Sequence, residues 1–145
     1  MFTKFLTFLK YEEQLLGEIL RLSEKQQNAI IKHNIKELEE INSYQNELNK
    51  NLFKAEQERM QILANWLNIN SYNVKEIKLT DLKKFISKDE YKELIKIQNN
   101  FKQLTDKIYN LNNTNKILIN KAKQSIKEMI EFLTNGTQNV CNYKV

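Results

Sequence analysis

Proline is missing from this chain of 145 residues, and glycine occurs only at Gly17 and Gly136. The backbone therefore has few places to turn sharply, which excludes the turn-rich sandwiches and barrels. One cysteine, Cys141, cannot close an internal disulfide and fits a reducing compartment. With His33 the lone histidine, no His, Cys and carboxylate cluster has metal-ligand or triad spacing, so the sequence offers no catalytic residue, metal site or cofactor site. Carboxylate pairs such as Glu12-Glu13 and Glu39-Glu40 are adjacent on helices and point apart around the axis. Apolar runs fall well short of the roughly 20 residues that span a bilayer. The opening MFTKFLTFLKYEE alternates apolar and polar residues instead of forming the continuous core of a signal peptide, so no membrane insertion and a cytoplasmic location are expected.

What is there is charge and helical phase. Charged residues make up 28% of the chain and mean hydropathy is −0.64, the composition of long helices with wet faces. The net charge of +5 invites a nucleic-acid reading, but lysines alternate with carboxylates in stretches such as KDEYKELIK, and Arg21 and Arg59 are the only arginines. Phosphate binding needs clustered cations, so nucleic acid is not an expected partner.

Apolar residues recur at steps of three and four from Phe5 through Phe8, Leu15, Ile19 and Leu22 to Ala29, with Glu12 and Gln26 in two of the slots, which predicts a helix over about 4 to 32. Asn34 followed by Glu37 has capping-box spacing, so a tight turn is expected at His33 and Asn34. A second stripe, from Leu38 to Ile69 with Gln45 and Arg59 at core-spaced positions, predicts a helix from Ile35 to about Leu67. The stretch LNINSYNVKEIKLT lacks a period and reads as a loop. Thr80 is placed to cap a short helix bearing Leu82, Phe85 and Ile86, and Ser87 with Glu90 forms another capping box. The longest stripe then runs from Leu94 to Phe132, and Asn135-Gly136 supplies a helix stop.

That last stripe crosses LNNTNKILIN, four of whose ten residues are asparagine, without losing phase. Asn112, Asn113 and Asn120 fall off the seam. Asn115 falls on it, where a lone polar residue costs stability but fixes register. The fold class expected is all-α: an elongated antiparallel bundle of three long helices plus one short connecting helix, with coiled-coil packing, as a single domain over 1–135. Residues 136–145 read as a disordered tail.

The order of these features resembles the FlgN family of flagellar export chaperones. Asn112, Asn115, Leu118 and Ile119 stand at the spacings of the family's N-x-x-N-x-x-L-I signature. HNIKELEEI is similar to its hairpin turn, although His33-Asn34 stands where the family often has Gly-Asp. ERMQIL, with Arg59, is similar to the end of its second helix, and LTDLKKFI, with Leu79, Leu82 and Ile86, to its short helix. The resemblance implies a bacterial flagellum assembly factor, a cytosolic type III secretion chaperone that binds hook-associated junction proteins and delivers them to the export gate.

Near its end the last helix carries a second apolar line beside the seam, which makes the apolar surface broader than one partner helix covers: Ile119, Ile126, Ile130 and Leu133 next to Met129 and Phe132. Phe2, Phe5 and Phe8 of the first helix would cover it as core, a homodimer would cover it as an interface, and the resemblance favours a cargo helix. On that reading Ile119, Ile126, Met129, Ile130, Phe132 and Leu133 bind cargo, and Tyr143 in the tail docks on the export gate. The rival is a structural, homo-oligomerising helical protein with no cargo.

Overall fold

The computed structural model describes the backbone of residues 1–144 and the side chains of residues 1–135. Three long helices, α1 (Phe2–Ile31), α2 (Ile35–Leu67) and α4 (Lys88–Lys144), form an all-α bundle, with the single turn α3 (Leu79–Leu82) and two 3-10 turns, Val74–Glu76 and Lys83–Phe85, between α2 and α4. α1 is the shared element, packed against α2 and against α4. Its contacts with α2 run in opposite directions along the two helices, Glu12 meeting Arg59 and Ser23 meeting Gln45. Its contacts with α4 rise together, Lys10 with Glu93, Glu13 with Asn100 and Ser23 with Asn112. Consecutive long helices are therefore antiparallel, and α1 and α4 are parallel.

Local chemistry sets the ends. At the α1–α2 corner His33 takes a left-handed φ of 55°. Its N–H reaches Ile30 O at 3.1 Å and that of Asn34 reaches Ala29 O at 2.9 Å, the paired bonds of a Schellman turn. Asn34 then caps α2, its Oδ1 accepting from Glu37 N at 3.1 Å. The other half of the expected box differs: with Asn34 N–H committed to Ala29, the Glu37 carboxylate accepts instead from the Asn34 side-chain amide at 3.2 Å. α2 ends in a second left-handed residue, Asn68 at φ 52°.

Thr80 is not a cap. It lies inside α3, whose start is set by Asp81 Oδ2 accepting from Lys78 N at 2.9 Å. The Ser87–Glu90 box forms in full, with bonds of 3.1 and 2.9 Å. α4 then runs unbroken through Leu111–Asn120, as the unbroken phase requires. It also runs past Asn135-Gly136, where a stop was expected. A glycine inside a helix costs about 1 kcal/mol, and propagation of an established helix overrides so small a signal. The expectation of a disordered tail over 136–145, made from its short, polar, terminal character, falls on side chains, Tyr143 included, that lie outside the described residues.

Among the described residues the core has two apolar parts. One, Phe5, Leu9, Ile62, Leu63, Leu82, Leu94 and Ile97, gathers where the loop and α3 cross the bundle. The other, Leu15, Ile19, Leu22, Ala29, Ile41 and Leu48, runs along the α1–α2 hairpin. Each fully buried Leu, Ile or Phe contributes about 1.5–3 kcal/mol. Between them on α1 sits buried Glu12, paired with Arg59 of α2.

Candidate functional site: the projecting end of the last helix

The offset between α1 and α4 is 89 residues at both Ser23–Asn112 and Gln26–Asn115. It puts Ile31, the last residue of α1, opposite Asn120. Beyond that point α4 continues without α1 beside it, and from Asn120 to Asn135 it rises about 22 Å at 1.5 Å per residue. The seam does not stop where its partner does. Leu118, Ile119 and Ala122 are half-buried at the end of the hairpin, whereas Ile126, Met129, Ile130, Phe132 and Leu133 are 56%, 61%, 58%, 73% and 59% exposed.

The N-terminal aromatics do not cover this face. Phe2 and Phe5 stack around Trp66 with ring centroids 6.1 and 6.0 Å away, at the opposite end of the bundle. Of the six expected contact residues, Ile119, Ile126, Met129, Ile130 and Leu133 share one face of α4. At 100° per residue, Phe132 lies about 120° from Ile126, on the flank.

The asparagine cluster sits just below this face. Asn115 is 2% exposed; its Nδ2 donates to Ser23 O at 3.0 Å and to Gln26 Oε1 at 3.2 Å. Its Oδ1 is buried and accepts no hydrogen bond among the described residues. Asn112 is exposed, yet its Oδ1 accepts from Ser23 Oγ at 3.2 Å, and that hydroxyl in turn accepts from Gln45 Nε2 at 3.3 Å. A polar clasp thus ties all three long helices together immediately before α4 leaves the bundle. Ser23, fully buried at its centre, escapes a reading of apolar spacing; its position four residues after Ile19, in the core stripe, is the signal that marks it.

The family model described as FlgN protein matches residues 1–144. The chain belongs to the FlgN family. FlgN proteins are flagellar export chaperones and not a family of enzymes. No curated protein and no solved structure matches the chain significantly.

In this FlgN chain the four residues at the spacings of the resembled signature lie in two settings. Asn112 and Asn115 build the clasp, while Leu118 and Ile119 begin the apolar face. Arg59, at the end of the region that resembles the second FlgN helix, is a core ion-pair partner. Leu82 is buried, and Leu79 and Ile86 pack around it in the apolar cluster at the foot of the bundle. Among the described residues no helix is long and apolar enough to cross a membrane.

Proposed function

We propose that this chain is a cytoplasmic chaperone of flagellar type III export that binds hook-associated junction proteins on the projecting end of α4, through Ile119, Ile126, Met129, Ile130, Phe132 and Leu133, and delivers them to the export gate with Tyr143 as a docking residue. The observation that carries the reading is the exposure of Ile126, Met129, Ile130 and Phe132 on a helix whose seam partner has ended. A monomeric soluble protein rarely keeps so continuous an apolar face bare. An amphipathic cargo helix laid along α4 takes the place that α1 occupies below, burying the same kind of surface on both partners. The cargo's apolar helical ends are then masked from self-association without any chemical step.

The test is to mix the chain with separately purified junction protein and to repeat the mixture with Ile126→Asp/Ile130→Asp. Wild type should give a stoichiometric heterocomplex on size exclusion. The variant should keep its helicity and lose the complex, because carboxylates buried in an apolar interface are heavily penalised. A variant that still binds cargo would show that the surface is wrong. The same bare face also fits the structural reading, a homo-oligomer. Sedimentation separates the two: a wild-type chain that self-associates tightly through Ile126 and Ile130 and ignores junction protein is a structural oligomer.

A further inference from the structure

The projecting face has unlike edges. Taking Ile126 as its centre, Lys123, Lys116 and Lys127 lie about 60°, 80° and 100° to one side, and Leu118, Ser125 and Phe132 line the other. All three lysines are exposed, and the ion pairs among the described residues, Lys10–Glu93 and Arg59–Glu12, include none of them. The carboxylates of this segment face away from the stripe. Glu128 lies about 160° from Ile126, where it accepts from Gln124 Nε2 at 3.0 Å; Glu131 lies about 140° away on the lysine side, beyond Lys127, and Lys121 about 140° away on the other, beyond Phe132.

Lower down, where α1 occupies the same face, the opposite edge of the seam carries polar cross-contacts: Lys10 pairs with Glu93 at 2.9 Å and Glu13 accepts from Asn100 at 2.9 Å. We infer that the projecting face is built for an amphipathic helix whose apolar stripe is bordered on one side by Asp or Glu, set against the Lys116–Lys123–Lys127 edge. This rests on the proposed role of the face in binding cargo and adds the chemistry of what it selects. A second copy of the chain does not supply that chemistry. Antiparallel pairing sets the lysine edge against itself, and parallel pairing sets it against Ser125 and Phe132. Like charges brought together at an interface oppose the wrong partner, so the edge acts in specificity as well as attraction.

Two synthetic amphipathic peptides with the same apolar seam, one edged with Glu and the other with Lys, test this against the full chain by fluorescence anisotropy. The Glu-edged peptide should bind roughly tenfold more tightly, the cumulative effect of three exposed pairs. The advantage should shrink at about 0.5 M salt, where screening is strong. Lys116→Glu/Lys123→Glu/Lys127→Glu, all at exposed positions, should reverse the preference while circular dichroism stays unchanged. Equal affinity for both peptides, or a preference that survives the triple reversal, overturns the inference and leaves the face as a site. Ile126→Asp/Ile130→Asp should lose both peptides. Unchanged binding by that variant, or no binding of either peptide to wild type, removes the site and the inference together.

Discussion

Arg59 Nε donates to Glu12 Oε2 at 2.6 Å, joining α2 to α1 across the gap between the two apolar parts of the core. Glu12 is buried, and that burial raises its pKa above the ordinary 4.5, against the opposing pull of the Arg59 hydrogen bond and charge. Arg59→Leu should strand the carboxylate and cost about 3 kcal/mol at neutral pH. The sign with pH follows from the raised value: the folded chain holds this proton more tightly than the unfolded one. Its contribution therefore favours the fold at acid pH and is lost as pH rises through the folded pKa. Without Arg59 the pKa rises further, so the deficit of the variant relative to wild type should shrink as pH falls toward the wild type's own raised pKa, above 4.5, and stay constant below it. Urea melts of both proteins at neutral and acid pH measure it; a deficit that does not change with pH would deny the burial of the charge.

Asn115 and Asn113 are two residues apart in the same helix, one buried against Ser23 and one exposed. Asn115→Asp replaces the donor to Ser23 O with a carboxylate that can only accept, in a site that already holds one unsatisfied oxygen. It should destabilise by roughly 3 kcal/mol or more. Asn113→Asp should stay within about 0.5 kcal/mol. Equal effects in thermal melts would mean that the asparagine cluster has no inside and outside.

His33 holds the left-handed conformation that glycine adopts without strain. His33→Gly should accordingly raise stability by about 0.5–1 kcal/mol, the relieved strain being partly offset by the greater entropy of the unfolded chain. Asn34→Ala removes the cap on Glu37 N and should lower stability by about 1 kcal/mol. Opposite shifts at neighbouring positions, read from the unfolding midpoints, are the signature of this turn.

Helix phase and helix caps are readable in the chain because both are local. The three-four steps from Leu94 to Phe132 survive four asparagines, and each of Asn34 and Ser87 needs only the residue three places on. Register is not local. Glu12 and Arg59 each fill an apolar slot, yet 47 residues separate them, and only the sliding of α1 on α2 makes them partners. The left-handed φ of His33 is hidden for a related reason: the cap at Asn34 signals a turn, while the conformation just before it depends on how α1 must end to bring Asn34 N–H to Ala29 O. At the site, the breadth of the apolar face was readable, and its exposure follows from helix lengths. α1 is 30 residues and α4 is 57, so parallel packing from their starts leaves the end of α4 without α1. The Asn135-Gly136 stop misled because a weak local preference competes with a helix already propagating.

That difference in length also separates the stability of the bundle from its end. Leu94 and Ile97 are buried at the foot, under α3, whereas Ile126 and Ile130 are more than half exposed above the last turn of α1. A chain ended after Lys123 keeps both apolar clusters, the Glu12–Arg59 pair and the clasp around Ser23. It should melt within about 1 kcal/mol of the full chain, since the removed segment buries little area against the described bundle. Leu94→Ala should cost about 2–5 kcal/mol in either background, because the cavity opens far from the cut. Thermal melts followed by circular dichroism would decide it. A shortened chain that unfolds at room temperature would mean that the end of α4 folds back onto the bundle as core, and with it the case for a bare binding face would fall.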